Sequence, residues 1–215
     1  VNCAYKNCSY LDAARYQLKL IDIMSAEKLN TAREIYNLGL FYSLAEQYDS
    51  AVVYFNDAIK LSAADTGFAA SAKIEIAKAA EFSGDYANAI KHIESVINNT
   101  ASIEELGKQY SRLGKIYYLR LNDFDRAGEY FNKALAHYEK SGDTAGVCRS
   151  LIDLGLVQER LANFDGARKY YDRAGKLTTD NNILTEITLD NANSYWYEGD
   201  YKTAFDYAFK SLDSS

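Results

Sequence analysis

The sequence predicts an all-α protein built from stacked pairs of helices, and one recurring motif carries this prediction. An aromatic residue, two variable residues and an alanine occur in this order six times along the 215 residues. Successive copies are separated by 38, 38, 38, 40 and 37 residues, and a fixed period in this range is typical of a repeat array. The six copies are Tyr10-x-x-Ala13, Tyr48-x-x-Ala51, Tyr86-x-x-Ala89, Phe124-x-x-Ala127, Phe164-x-x-Ala167 and Tyr201-x-x-Ala204.

The residues after each alanine predict the second helix of every pair, here called helix B. In the second copy Phe55 follows Ala51 by four residues, and Ala58 follows Phe55 by three. This spacing places all three side chains on one face of a helix. An alanine at the same place in every copy predicts that another helix passes too close for a larger side chain.

A second pattern, upstream of each aromatic residue, predicts the first helix of every pair, called helix A. Its best copies are Leu38-Gly39-x-x-Tyr42, Leu113-Gly114-x-x-Tyr117 and Leu154-Gly155-x-x-Gln158. Glycine inside a helix costs about 1 kcal/mol relative to alanine, so each of these glycines needs a packing reason. We expect the alanine of the paired helix B to cross at this point.

Turn and capping residues set the order of the predicted elements. Thr31-x-x-Glu34 and Ser102-x-x-Glu105 are capping boxes that open a helix A, and Ser141-Gly142-Asp143 ends one helix and starts the next. The third helix A is expected from Ala70 to Phe82 and the fourth helix B to about Lys140. The predicted units are 1–30 (partial), 31–64, 65–100, 101–142, 143–180 and 181–215.

Two details of this order are specific expectations. In the incomplete first unit, Val1–Tyr5 is predicted to be the tail of a helix A, and Tyr10 to about Lys28 helix B. The fourth unit has one extra residue between Tyr117 and Phe124, which we expect in its turn. With no linker or low-complexity tract, residues 1–215 are predicted to form a single domain.

These residues resemble the tetratricopeptide repeat. The second unit fits that family's motif best, through Leu38, Gly39, Tyr42, Tyr48, Ala51, Phe55 and Ala58. The resemblance implies a right-handed α-α superhelix, a solenoid of five full helix pairs after a partial N-terminal repeat. The chain departs from the family in having no proline and a period longer than about 34 residues. Longer-repeat members occur in bacterial regulators and in motor or polarity adaptors.

Composition narrows the classes of partner. The formal net charge of −6 disfavours nucleic-acid binding, which usually requires a basic surface, and no apolar run is long enough to cross a membrane. Cys3, Cys8 and Cys148 lack metal-binding spacing and are predicted to be unpaired thiols. The chain begins at Val1 without a signal segment, so its compartment is not readable, with cytoplasm favoured over an extracytoplasmic location. We expect the natural protein to continue past one or both ends.

The sequence contains no motif for catalysis. It has no phosphate-binding Gly-Lys loop, no His-Glu-x-x-His and no Gly-x-Ser-x-Gly. His92 and His137 fall on different helices, outside any metal-ligand pattern, and are predicted to lie at the surface. We therefore expect a protein that is not an enzyme and has no cofactor and no metal.

The resemblance implies that ligands bind on the concave side, which helix A lines. Each helix A has one small residue, such as Gly39 in the second unit. The positions three before it, one after it and four after it point to the concave side. They mix apolar, aromatic and charged side chains, which suits a peptide. The candidate peptide-binding residues are Tyr36, Leu40, Ser43, Ile74, Lys78, Ser111, Lys115, Tyr118, Ile152, Leu156, Glu159, Asn193 and Trp196. Trp196 and Tyr118 are the best anchors, unless they pack against neighbouring repeats instead.

The charged side chains of helix A bear on whether an acidic ligand could bind. The family's carboxylate clamp would need lysine and asparagine where Tyr36 and Leu40 stand, so binding of an acidic chaperone tail is not expected. Lys108, Arg112 and Lys115 on the fourth helix A, with Arg120, form a basic patch. This patch either meets an acidic partner segment or is a solvated helix face, and the second interpretation is favoured.

The function predicted from these observations is a non-catalytic scaffold that binds a protein or peptide segment, as the sensing or docking part of a larger bacterial regulatory protein. Two alternatives stay open. The chain is either a structural module that assembles a homo-oligomer through its terminal repeats, or an effector-binding domain that controls an attached output domain.

Overall fold

Helices form all of the regular secondary structure that can be described. The computed structural model describes the backbone of residues 2–62 and 65–213 and the side chains of residues 9–62 and 65–210. Within these ranges there are eleven α-helices and no strand, so the predicted all-α class is confirmed. The chain forms two compact units, residues 1–100 and 101–215. That they form a single continuous domain stays a prediction.

Unit 1 consists of one long helix followed by two helix pairs, in which α2 packs on α3 and α4 on α5. The first helix, α1, packs against α2. The helices are α1 Asn2–Ala26, α2 Ala32–Leu44, α3 Tyr48–Leu61, α4 Thr66–Ser83 and α5 Tyr86–Ile97.

Unit 2 consists of three helix pairs. The pairs are α6 with α7, α8 with α9 and α10 with α11, and α7 and α9 also pack on the helices that follow them. The helices are α6 Ile103–Ile116, α7 Phe124–Ser141, α8 Thr144–Arg160, α9 Phe164–Gly175, α10 Asn181–Glu198 and α11 Tyr201–Asp213. Together the two units contain the five helix pairs that the repeat pattern predicts.

Short polar residues start most helices by capping a free backbone amide, as the sequence predicts. The Asp143 carboxylate accepts a hydrogen bond from the Gly146 amide at 2.9 Å, and Ser102 Oγ accepts one from the Glu105 amide at 3.3 Å. Gly142, which ends α7, has a φ of 74°, a left-handed conformation that glycine adopts without strain. These capping contacts define the boundaries between helices A and B.

Three expectations about the first 70 residues are wrong. The side chain of Thr31 makes no capping hydrogen bond; Asn30 Oδ1 accepts one from the Ala32 amide at 2.9 Å instead. The third helix A begins at Thr66, a turn before Ala70, because Asp65 caps it. The first helix is uninterrupted from Asn2 to Ala26, since no glycine breaks it near Tyr5. Val1 and the side chains of Cys3 and Cys8 lie outside the described residues.

The recurring alanines lie where the repeat pattern requires. Ala51, Ala89, Ala127 and Ala167 are completely buried, and Ala204 is 4% exposed. In α1 the corresponding Ala13 is only half-buried. Complete burial of a methyl group at equivalent places in four helix pairs is the expected result of close packing between helix A and helix B.

The glycines of helix A are explained by aromatic rings rather than by the alanines, so that expectation is wrong. A Cβ atom at Gly39 would lie 2.7 Å from two carbons of the Phe55 ring, and one at Gly114 would lie 2.5 Å from two carbons of Phe131. At Gly155 the Tyr171 ring occupies the same place. In each pair the aromatic residue four positions after the alanine packs on the bare backbone of the glycine.

The extra residue of the fourth repeat lies inside the helix, not in the turn where it is expected. Residues Tyr117–Leu121 form a π-helical turn at the end of α6. The Asp123 amide donates to the carbonyl of Tyr117, six residues earlier, whereas the equivalent Asn163 amide of the next repeat donates to Gln158, five residues earlier. A π-helical turn holds one residue more than an α-helical turn, so the helix end absorbs the insertion.

Candidate functional site

The best candidate site is a cavity of about 470 Å³ on the helix-A side of unit 2. Three elements form it: the π-helical turn after α6, the C-terminal half of α8 and the C-terminal half of α10. The first residue of α9 closes one side. The lining residues are Tyr118, Leu156, Glu159, Arg160, Phe164, Asp190, Asn193 and Tyr197.

Four of the predicted peptide-binding residues meet in this cavity. They are Tyr118, Leu156, Glu159 and Asn193, contributed by three successive helices A. Lys115 and Trp196 are exposed on the same helices but do not line it. Repeat spacing therefore brings together residues that are up to 75 positions apart in the sequence.

Two predicted residues of unit 2 are core residues, which corrects the assignment of their helix face. Ile152 is 1% exposed and Ser111 is 8% exposed, so neither is available to a ligand. Both stand three positions before the glycine of helix A. In α6 and α8 this position turns toward the paired helix B, because a residue three places away lies almost one full turn back along the helix.

The predicted residues of unit 1 pack against their neighbours. Tyr36 and Leu40 pack against the buried cluster of Ala51, Phe55 and Ile76, and the Tyr36 ring lies 5.4 Å from the Phe55 ring centroid. The other three, Ser43, Ile74 and Lys78, are half-buried, and Lys78 forms a 2.7 Å salt bridge with Glu75.

The two predicted anchors have different surroundings. Tyr118 is half-buried, packs edge-on against Phe124 with 5.6 Å between ring centroids, and lines the cavity. Trp196 is 51% exposed and contacts Tyr201 and Phe205 of its own helix pair. Tyr118 is thus a wall of the cavity, and Trp196 is a surface residue beside it.

Glu159 is the most perturbed acidic group of the cavity. Burial and, to a smaller extent, the nearby carboxylate of Asp190 raise its pKa to about 7. The Tyr171 hydroxyl behind it opposes the shift, but no well-formed hydrogen bond joins them. Glu159 Oε1 and the Tyr171 hydroxyl are buried without a hydrogen-bond partner among the described residues. An unpaired buried carboxyl oxygen is costly unless a ligand or water reaches it.

Asp190 faces Glu159 from α10 and is also desolvated. Burial raises its pKa to about 6, Glu186 adds to the shift, and Arg149 opposes it. Arg149 itself is paired with Glu186 at 2.7 Å. Neither Glu159 nor Asp190 forms a salt bridge with any residue of the described part, and both line the cavity.

Arg160 is the one cation among the residues that line the cavity. Its Nε donates a 3.2 Å hydrogen bond to the Tyr118 hydroxyl, and its guanidinium lies over the Tyr118 and Phe124 rings, 5.7 and 5.9 Å from their centroids. This arrangement commits Arg160 to the aromatic wall. Its charge lowers the pKa of Glu159, but it forms no salt bridge with that carboxyl group.

Half of the cavity lining is missed by sequence reasoning. Arg160 stands five positions after Gly155, and Tyr197 stands five positions after Ala192, whereas the prediction uses the position four after. Asp190 stands two positions before Ala192, whereas the prediction uses the position three before. Including the neighbouring positions on the same helix face would have found these three. Phe164 opens α9 and belongs to the aromatic-x-x-Ala motif, so its second role has no separate signal.

The basic patch, the histidine His137 and the cysteine Cys148 do not line the cavity. Lys108 of the basic patch is paired with Glu104 at 2.6 Å, and Lys115 lowers the pKa of Asp153, which burial raises to about 6. His137 is half-buried and stacks on Tyr110, so it is not the free surface residue expected. Cys148 is buried and unpaired, and burial raises the pKa of its thiol.

The described residues provide neither a metal-binding cluster nor a helix suited to a membrane. They contain no group of three or more histidine, cysteine, aspartate or glutamate side chains placed to hold a metal ion. No helix in the described ranges combines the length and the apolar character that crossing a bilayer requires.

Comparison with protein families identifies the repeat. Two profiles, each described as tetratricopeptide repeat, match residues 100–177 and 35–65. The first match covers the region from the start of α6 to the end of α9, and the second covers most of α2 and all of α3. No curated protein sequence matches the chain.

Comparison with solved structures shows the same fold. The crystal structure of BtubC (BKLC) from P. vanneervenii superimposes with a TM-score of 0.76 at 15% identity, covering 100% of this chain and 91% of that one. The apo form of the quorum sensor NprR from B. thuringiensis gives 0.64 at 17% identity, covering 96% and 71%. YrrB, described as a protein of the same repeat type with an unusual peptide-binding site, gives 0.61 at 15% identity, covering 90% and 91%. At 15–17% identity, the TM-scores show that the fold is shared and nothing more.

Proposed function

Because this chain belongs to the tetratricopeptide repeat family, we propose that it is a non-catalytic scaffold that binds a peptide or protein segment on the helix-A side of unit 2. The observation that carries the proposal is the cavity between the ends of α6, α8 and α10. Its volume lies within the range of about 300–1,000 Å³ that is usual for ligand sites.

The composition of the lining supports a peptide as the ligand. Tyr118, Phe164 and Tyr197 supply aromatic surface, which contributes strongly to binding when it is buried by a partner. Glu159 and Asn193 supply hydrogen-bonding groups beside that surface. An extended or helical segment presents alternating apolar and polar side chains, which suits such a mixed surface.

More specifically, we propose that the chain is the sensing or docking part of a larger bacterial regulatory protein. The fold likeness to NprR, a quorum sensor, supports it, as does the likeness to YrrB with its peptide-binding site. The ligand would then change the packing between successive helices A and so control a partner or an attached domain.

The test is selection of binding peptides from a displayed random library on the full chain. Selected peptides are then measured against Tyr118→Ala, Lys115→Ala and Trp196→Ala by fluorescence anisotropy. We expect Tyr118→Ala to weaken binding at least about tenfold, since it removes a wall of the site, and the other two to weaken it less. Phe209→Ala, a change at an exposed position of α11, is the control and should bind as the wild type does.

Unchanged binding in all three variants would move the site elsewhere. Failure to select any peptide, with a folded protein, would contradict the proposal itself.

An assembly module remains the second candidate because of one observation. Phe205 and Phe209 on α11 are 56% and 64% exposed, and Trp196 beside them is half-exposed. Exposed aromatic groups so close together are typical of interaction surfaces. Light scattering at two protein concentrations tests this function, since a strict monomer at both would exclude assembly through α11.

A further inference from the structure

We propose that the cavity of unit 2 receives the guanidinium group of an arginine side chain carried by the bound segment. This inference rests on the proposed function and deepens it, since it assigns the chemical class that the site recognises. Three features support it: two carboxyl groups that line the cavity without a salt bridge, aromatic walls, and the contact of Arg160 with Tyr118 rather than with these carboxyl groups.

The first feature is the carboxyl groups on opposite sides of the cavity. Glu159 on α8 and Asp190 on α10 both line it, and neither forms a salt bridge within the described residues. Glu159 Oε1 is buried and has no hydrogen-bond partner there. An incoming cation with several N–H donors would pair with the parts of these two carboxyl groups that line the cavity and would screen the repulsion between them.

The second feature is the aromatic surface beside these carboxyl groups. Tyr118, Phe164 and Tyr197 line the cavity on three different elements. A guanidinium is planar, stacks on aromatic rings and donates two parallel hydrogen bonds to one carboxylate. An ammonium group lacks the planar fork, so arginine matches this combination better than lysine does.

The third feature is the position of Arg160. Arg160 follows Glu159 directly in the sequence but forms no salt bridge with it. Its Nε donates a hydrogen bond to the Tyr118 hydroxyl at 3.2 Å, and its guanidinium lies over the Tyr118 ring. The same contacts show that a guanidinium packs well on this wall. A second guanidinium could enter between Tyr118 and the α10 side of the cavity, where Asp190 and Tyr197 lie.

The volume agrees with a side chain entering from a longer segment. About 470 Å³ is more than one guanidinium group occupies. The remaining space accommodates the aliphatic part of the side chain and adjacent backbone, for which Leu156 provides an apolar contact and Asn193 hydrogen-bonding groups.

The test uses small probes on the full chain, independent of any selected peptide. N-acetyl-arginine amide is titrated at pH 8 and low salt and followed by NMR chemical shifts. N-acetyl-citrulline amide, which has nearly the same shape without the charge, and N-acetyl-glutamate amide are titrated in parallel. We expect the arginine compound to bind at least about tenfold more tightly than either, because charge-assisted hydrogen bonds are stronger than neutral ones.

Variants then locate the effect. Glu159→Gln combined with Asp190→Asn should abolish the preference for the arginine compound, whereas Glu129→Gln, an exposed position on α7, should leave it unchanged. Circular dichroism confirms that the double variant is folded, as expected when polar side chains of similar size replace the two acids. The single variants Glu159→Gln and Asp190→Asn should each give a partial loss.

Three results would overturn the assignment: equal binding of citrulline and arginine compounds, tighter binding of the glutamate compound, or an arginine preference that survives in the double variant. The two proposals can fail separately. If any of these results is found but library peptides bind the wild type and bind Tyr118→Ala more weakly, the arginine assignment fails and the proposed function stands. If no peptide binds but the arginine preference is present and lost in the double variant, the site is confirmed and the ligand is smaller than a segment.

Discussion

The Phe131 ring on α7 packs directly on the backbone of Gly114 on α6. A Cβ atom at position 114 would lie 2.5 Å from the ring carbons Cδ1 and Cε1, which is closer than any real contact of this kind. Phe131 is 1% exposed, and its neighbour in the repeat pattern, Ala127, is completely buried. The glycine, the ring and the alanine together set the distance between the two helices.

Gly114→Ala should therefore destabilise the protein, although alanine is the better helix former. The helix-propensity gain is about 1 kcal/mol, and displacing the packed ring costs about 1–3 kcal/mol, so a net loss is expected. Chemical denaturation measures it. Gly128→Ala on α7 is the matched control, because a Cβ there would lie 3.5 Å from Val157 Cγ1 and stabilisation is expected. Equal stabilisation of both variants would contradict the packing described.

Ala127→Leu and Ala167→Leu should each overpack the contact between paired helices. Both alanines are completely buried, so the added carbons force α6 and α7, or α8 and α9, apart at a cost of about 1–3 kcal/mol or more. Thermal unfolding followed by circular dichroism measures the loss. Ala136→Leu, at an exposed position of α7, is the control. A wild-type melting temperature in both buried variants would show that the helices do not cross at these alanines.

Much of this fold can be predicted from the sequence because the determining signals are local and repeated. The period gives the number of helix pairs, and residues such as Asp143 and Gly142 give the helix ends. Sequence reasoning fails where several local solutions compete. Asn30 and Thr31 are both good caps, and only the folded chain shows that Asn30 makes the hydrogen bond.

The π-helical turn at Tyr117–Leu121 leads to a prediction about deletion. Removing Leu119, which is 61% exposed, should convert the π-helical turn into an α-helical one and restore the six-residue spacing between residue 117 and the start of α7. We expect a folded protein whose melting temperature changes by no more than a few degrees. Deleting Arg149 in the middle of α8 is the control, since it rotates every later side chain of that helix and should unfold unit 2. Equal damage from both deletions would contradict the assignment of the extra residue.

The raised pKa of Glu159 predicts how stability depends on pH. Because its pKa rises from 4.5 in the unfolded chain to about 7 in the folded one, the folded state holds the proton more strongly, and stability falls as the pH rises through this window. Glu159→Gln removes this loss. The shift corresponds to at most about 3 kcal/mol, which screening at a partly exposed site reduces to about 1 kcal/mol.

The measurement is denaturation of the wild type and of Glu159→Gln at pH 4 and pH 8. The variant should be the more stable at pH 8 and close to the wild type at pH 4, with Asp190, Arg160 and Tyr171 unchanged around it. Glu129→Gln, at an exposed position of α7, is the control for removing one acidic side chain. A variant that is less stable than the wild type at pH 8 would mean that Glu159 is already satisfied in the folded protein.

The candidate site was only partly predictable, for a geometric reason. Tyr118, Leu156, Glu159 and Asn193 follow from counting positions on helix A. Ile152 shows the limit of that counting, because whether a boundary position faces the ligand side or the core depends on how the helix is rotated against its partner. That rotation is set by contacts such as Tyr171 on Gly155, which no single helix pattern contains.

Photo-crosslinking from inside the cavity tests the central claim most directly. A benzophenone amino acid at position 193, whose asparagine is exposed and lines the cavity, is compared with the same amino acid at exposed position 129 on α7. With a peptide selected on the wild-type chain, crosslinks should form from position 193 and be suppressed by excess unlabelled peptide. Crosslinks from position 129 but not from position 193 would show that the chain holds its partner on another surface.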